Sequence, residues 1–209
     1  MWILPSRNRP DRLRHMFDTA PPSTPGIVAI DKDQAKLYSN VSLPEQWQFD
    51  IGRQCKYVEK HNNIFKRFPD CAWYGSLSDD MVPITPHWDV MLIMRAKSGI
   101  AYANDLFTRR CGAFVIHGDL VRKLGYIFNP KFIHYYGDTM LELISREMKF
   151  AGLQEDIIVE HRHYANKKNP GKYDQTSKGR PKQLDEKPVF ERWRDKEWPT
   201  IKQNLLAYA

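Results

Sequence analysis

From Trp2 to His163, short apolar runs alternate with stretches of helical periodicity, and this alternation is the strongest limit on what the chain can fold into. Trp2-Ile3-Leu4-Pro5 reads as a buried strand, followed by turn chemistry at Ser6 to Pro10 and a helix from Asp11 to Thr19 with Leu13, Met16 and Phe17 on one face. After the break at Pro21 to Gly26, Ile27 to Ile30 forms a second apolar strand ending at Asp31. Phe49 to Gly52 is a weaker strand. It precedes a helix over Lys56 to Phe68, whose Tyr57, Ile64, Phe65 and Phe68 suit a core-facing side. Cys71 to Leu77 is an interior strand running into Ser78-Asp79-Asp80, and Asp89 to Ala96 is helical. Strands at Ile100 to Ala103 and Ala113 to Ile116, helices at Asp119 to Leu124 and Gly137 to Phe150, and a last strand at Ile157 to Val159 complete the series. Such an order predicts an α/β sandwich with a mostly parallel central sheet and helices on both faces. Its ligands gather outside the carboxyl ends of the strands.

Beyond His163 the pattern changes. The expected organisation is a body over 1–164, a basic, polar loop or linker over 165–188, and a C-terminal helical segment over 189–209 that packs on the body through Phe190, Trp193 and Trp198. No apolar run reaches the ~20 residues a membrane helix needs, and Arg7 and Arg9 interrupt any signal-like opening. Cys55, Cys71 and Cys111 form no C-x-x-C pair, which argues against a disulfide framework or cysteine zinc site and fits a reducing cytoplasm. The net charge of +7 favours a polyanionic ligand, a nucleotide or a nucleic acid, without choosing between them.

Several polar groups fall at predicted strand ends. Asp79-Asp80 offers carboxylate oxygens on a rigid element, the form of site that Mg²⁺ or Mn²⁺ prefers; Ser-Asp-Asp is also common turn chemistry, and the motif alone does not separate the two. His161 and His163 follow an apolar strand two residues apart, so both rings face one side if the strand continues, and His161 is the better placed metal ligand. Asp138 opens the long helix, where a general base could be aimed at a cleft, but the residue by itself reads as an N-terminal cap. Pro5, Ser6 and Arg7 end the first strand and Asp31 the second, so phosphate, base or ribose contacts are natural there. Neither a G-x-G-x-x-G nor a G-x-x-x-x-G-K-[ST] motif is present, against an ordinary dinucleotide or P-loop protein.

In this order, Pro5-Ser6-Arg7-Asn8-Arg9-Pro10, Asp31, Gly52-Arg53, Tyr74 to Asp80, Gly137-Asp138 and Val159-Glu160-His161 resemble the GT-A fold glycosyltransferases, in particular the small single-domain, family 2-like members of bacteria and their phages. The resemblance spans Trp2 to His163. It implies a nucleotide-sugar donor, a UDP-sugar first, with Pro5, Ser6, Arg7, Asp31 and Arg53 holding the nucleotide and Asp79 on the ribose side. It also implies a divalent cation, Mn²⁺ or Mg²⁺, held by Asp80 and His161, and Asp138 as the base in an inverting displacement. The sequence departs from the family at Ser78, where the first aspartate of the D-x-D region is usual, at Gly137, where many members carry Glu, and in lacking Q-x-x-R-W. Hydroxymethylated bases in phage DNA are one acceptor candidate, with glycans and small molecules the others. The rival readings are a metal-dependent hydrolase or nuclease using Asp79, Asp80, His134, Asp138 and His161, and a non-catalytic nucleic-acid-binding domain.

Overall fold

The computed structural model describes residues 1–163 and 183–207. Eight strands form one curled sheet in the order β3-β2-β1-β4-β7-β6-β8-β5. Strands β1 (Trp2–Pro5), β2 (Gly26–Asp31), β3 (Trp47–Gly52) and β4 (Trp73–Ser76) are mutually parallel. Strand β7 (Phe114–His117) lies antiparallel between β4 and β6 (Ile100–Asn104), and β8 (Gly152–His161) returns parallel to β6. Short β5 (Met81–Pro83) closes the far edge, antiparallel to β8. The architecture is thus the mostly parallel α/β sandwich that the alternation predicts.

Side chains of β1 and β2 alternate between two cores, as the period of a strand requires. Ile3, Ile27 and Ala29 face the layer of α2 (Tyr57–Arg67), α4 (Gly118–Leu124) and α5 (Gly137–Glu147). Trp2, Leu4, Val28 and Ile30 face α1 (Pro10–Thr19) and α3 (Trp88–Ala96). Gly75 is required where β4 crosses Trp2: a Cβ there would lie 2.4 Å from the indole.

The C-terminal segment adds α6 (Gln183–Arg192), one π-helical turn over Trp193–Glu197, and α7 (Trp198–Leu206). Phe190, Trp193, Trp198 and Leu205 enter the first core, and the Trp198 indole donates to Glu147 at 2.8 Å. Pro199 sits in the first turn of α7, where its missing N–H is no loss. Residues 164–182, most of the stretch expected as a basic linker, lie outside the described residues; from Gln183 to Pro188 that stretch is helical. No helix among the described residues is long and apolar enough to cross a membrane.

Two expectations need correction. Phe68 does not face the core: at the C-cap of α2 the backbone leaves the helix with φ −130°, and the ring is left exposed. The last strand is far longer than Ile157 to Val159, because a register shift opposite Ala103 and Asn104 lets β8 carry exposed Glu155 and Asp156 without losing its pairing with β6.

Under the sheet, α2 is fixed by two buried polar side chains. The Asn62 carbonyl oxygen accepts from Ile127 and Phe128 N–H at 3.0 and 3.2 Å, and its amide donates to Phe128 O at 2.7 Å. The His61 ring, fully buried, donates from Nδ1 to Tyr57 O at 2.9 Å and accepts at Nε2 from Ser76 Oγ at 2.8 Å, while Tyr57 O–H reaches the same Ser76 oxygen at 3.0 Å. Burial pushes the His61 pKa from 6.5 down to about 4. Folding therefore favours the neutral ring, and its contribution is complete above pH 6.5 and lost as pH falls towards about 4. We expect the stability advantage of wild type over His61→Gln, measured by urea unfolding, to shrink by on the order of 3 kcal/mol between pH 7 and pH 4. Parallel stability curves would show that the ring is not the buried neutral group described.

Candidate active site

Strand order reverses at β1: β2 and β3 lie to one side of it and β4 to the other. Crevices form at such switch points because the connections leave the two carboxyl ends in opposite directions. Ser6 follows β1 and Asp79 lies just beyond β4, and the Ser6 hydroxyl donates to Asp79 Oδ2 at 2.6 Å. Ser6 accepts in turn from the Tyr38 hydroxyl at 2.6 Å, and Tyr38 accepts from Arg9 N–H at 3.1 Å. This chain of hydrogen bonds runs from the start of α1 to the acidic pair. Arg9 then returns to it with its side chain, Nη1 lying 2.9 Å from Asp79 Oδ1 and 3.3 Å from Asp80 Oδ2, with Arg12 Nη1 at 3.7 Å from Asp80.

The two aspartates are unequal. Asp79 is 3% exposed, and burial together with the neighbouring Asp80 charge lifts its pKa to about 6 against the pull of Arg9 and Ser6. Burial would also raise Asp80, but His161, Arg9 and the Ser78 hydroxyl, which donates to Asp80 Oδ1 at 2.9 Å, hold it well below the usual carboxylate range.

The strut that brings His161 to Asp80 is β5. It begins immediately after Asp80 and pairs Met81 with His161, while Arg162 N–H donates to Asp80 O at 2.8 Å. His161 Nε2 consequently stands 3.5 Å from Asp80 Oδ1, and its Nδ1 lies 3.9 Å from Asp105 Oδ2. Asp105 is buried and accepts from the N–H groups of Phe107, Thr108 and Arg109 at 3.0, 2.8 and 2.6 Å, which fixes it behind the ring. Burial alone would lower the His161 pKa, but the carboxylates at its two nitrogens more than offset this and raise it to about 9.

On the opposite wall, the Asp31 carboxylate at the end of β2 pairs with Arg7 at 2.6 Å and with Lys60 of α2. Arg53 is not part of this wall: its side chain is 79% exposed and pairs with Glu59. Asp138 lies in the first turn of α5 and faces the cavity. The N-cap of that helix is Tyr136, with no side-chain cap, so Asp138 does not occupy the cap position; its Oδ1 accepts from the first-turn Thr139 N–H at 2.8 Å and lies 3.3 Å from the Thr139 hydroxyl. Gly137 beside it has no room for a Cβ, which would meet the Phe128 ring at 2.7 Å.

These groups share one cavity of about 620 Å³. Pro5, Ser6, Arg7, Asp31, Asp79, Asp80, Asp138, His161 and His163 all line it, as do Arg9, Lys60, Tyr57 and His134. Lys60 and Asp105 carry no motif that would single them out in advance, and Arg9, though inside the Pro5 to Pro10 motif, has no role read from it. Arg9 at least stands inside the turn between β1 and α1, but Lys60 is one polar position on a helix, and Asp105 is visible only once β6 and β8 are paired.

Whether a divalent cation suits the site can be judged from its donors. Asp80 Oδ1 and His161 Nε2, 3.5 Å apart, are a hard carboxylate and an imidazole close enough to share one ion, which would displace the proton that His161 otherwise holds between Asp80 and Asp105. Among the described residues no group of three or more His, Cys, Asp or Glu is placed to hold a metal. The protein therefore offers a partial set. This fits an ion whose remaining ligands come from substrate phosphates and water, as Mg²⁺ and Mn²⁺ accept at phosphoryl sites.

No protein-family model matches the chain, and no curated protein sequence matches it significantly. Among solved structures it is similar to the crystal structure of S. aureus TarS 1-349, with a TM-score of 0.45 and 11% identity. The match covers 67% of this chain and 52% of that one, so the chain spans about half the length of that structure.

The unequal aspartates give a test. Folding favours neutral Asp79, so Asp79→Asn is expected to hold or raise the urea midpoint at pH 7, whereas Asp105→Ala, which strands three backbone N–H groups, should lose about 3 kcal/mol. Equal losses in the two variants would contradict this division between a strained carboxylate and a structural one.

Proposed function

We propose that the protein transfers a sugar from a nucleoside diphosphate to an acceptor hydroxyl. The observation that carries this reading is the convergence at the β1/β4 switch point of the Ser6–Asp79 ledge, the Asp80–His161 pair and Asp138, all on one cavity. Switch-point crevices suit nucleotides. The cationic wall of Arg7 and Lys60 around Asp31 suits a nucleotide's polar edge and phosphates, and Asp79 suits the ribose hydroxyls. We take a UDP-sugar as the first donor to test.

Asp80 and His161 would hold Mn²⁺ or Mg²⁺, which when bound to the diphosphate neutralises charge developing on the leaving group. Arg9 and Arg12 supply fixed positive charge beside the same place, at no cost of reorganisation. Asp138 accepts the proton of the acceptor hydroxyl as its oxygen bonds to the anomeric carbon. The bond from that carbon to the diphosphate breaks, and the diphosphate departs with the electron pair. One carboxylate acting in a single displacement inverts the anomeric configuration. The net charge of +7 favours a polyanionic acceptor, and DNA carrying hydroxymethylated bases is the one we put forward.

A thermal-shift series with UDP, GDP and ADP, each with and without Mn²⁺, tests the donor half. At ~100 times its dissociation constant, the correct diphosphate should stabilise the fold by ~2.7 kcal/mol. The shift should depend on Mn²⁺ and weaken in Asp80→Asn. A flat response to every diphosphate in both conditions would overturn the reading.

A further inference from the structure

Glu186 belongs to α6, outside the alternating strand and helix series, yet its carboxylate reaches the loop that leads into α5. It is only 4% exposed. Oε2 accepts from Ile133 N–H at 2.8 Å, both oxygens accept from His134 N–H at 3.1 and 3.2 Å, and Oε1 accepts from Tyr135 N–H at 3.3 Å. Three successive N–H groups turned inward make a concavity that calls for an anion, and here a distant part of the chain supplies it. One helical turn further on, Phe190 stacks on Tyr136 with centroids 5.0 Å apart and planes at 16°, and it also meets Phe132 at 6.2 Å. A single helix therefore grips residues 132–136 along their whole length.

The loop needs that grip. Tyr136 has φ 65°, a left-handed conformation that an aromatic residue adopts only at a cost of about 1 kcal/mol or more. The next residue is the tightly packed Gly137, and the one after it is Asp138. His134 and Tyr135, whose N–H groups Glu186 holds, line the same cavity as Asp138.

We propose that Glu186 is a positioning residue for the acceptor side of the site: it fixes the 133–135 backbone, and through it the wall formed by His134 and Tyr135 and the aim of Asp138. The inference rests on the transferase reading for the step being positioned. It separates the two halves of the cavity, since Ser6, Asp31, Asp79 and Asp80 stand on other elements that Glu186 does not touch.

The test compares wild type, Glu186→Gln and Glu186→Ala in the full chain. Three quantities are read: UDP affinity by calorimetry with Mn²⁺, turnover, and amide hydrogen exchange over residues 133–135. Gln keeps one carbonyl acceptor and Ala keeps none, so the effect should be graded. Turnover should fall about tenfold in Gln and about a hundredfold in Ala, while the UDP dissociation constant stays within about twofold. Exchange protection at 133–135 should fall in the same order. A parallel loss of UDP affinity and turnover would overturn the proposal, because it would mean general damage to the fold. Unchanged turnover despite lost protection would overturn it as well. If wild type binds no nucleoside diphosphate, the transferase reading fails separately; protection lost in the graded order would still support the clamp, and protection unchanged in both variants would still overturn it.

Discussion

Two adjacent aspartates held out of water need cations at fixed positions, and much of this structure follows from that requirement. Asp79 and Asp80 are satisfied by Arg9, with Arg12 and His161 completing the charge around Asp80. Placing Arg9 requires the turn after β1, with Asn8 in a left-handed conformation and Pro10 starting α1 directly afterwards. Placing His161 requires β5 and the long β8. Leaving the two carboxylates without Arg9 would cost several kcal/mol, so the acidic pair and its surroundings are one unit rather than a turn that happens to be acidic.

That unit is not arranged for stability alone. Asp79 is buried beside a second carboxylate and titrates near 6, while Asp105, against whose burial His161, the Thr108 hydroxyl and backbone N–H groups all act, titrates near 2. The same contrast appears in the backbone, where Tyr136 holds a strained conformation next to Asp138 while the helix behind it carries an ordinary apolar face. Asp79 lies on the cavity wall itself, and Tyr136 directly follows the wall residues His134 and Tyr135.

The parts legible in the sequence were those set by local periodicity. Apolar runs such as Ile27 to Ile30, and the amphipathic stretch containing Met140, Leu141 and Ile144, identify strands and helices because burial on a fixed face leaves a period in the chain. Polar residues after such runs, Ser6, Asp31 and Asp79, were legible for the same reason as residues that would line one crevice. What remained hidden depends on tertiary pairing. Met81 to Pro83 is too short to announce a strand and contains a proline, which only an edge position tolerates; without that strand, no local pattern places His161 opposite Asp80, and only the family resemblance pairs them. Glu186 is similar: it sits in a stretch whose composition suggests a solvated linker, and its three backbone partners lie about fifty positions earlier in the chain. Arg53 shows the reverse, a residue whose motif position suggests the site but whose side chain points to solvent and Glu59.

The most direct measurement of the central claim is the fate of the donor itself. Proton NMR of UDP-glucose incubated with the protein and Mn²⁺, with water as the only acceptor, should show slow release of UDP together with free sugar whose first-formed anomer is inverted. An intact sugar nucleotide, in a sample where the same protein with Mn²⁺ cleaves the phosphodiester bonds of a DNA probe, would contradict the account and identify the carboxylate cluster as a hydrolytic centre instead.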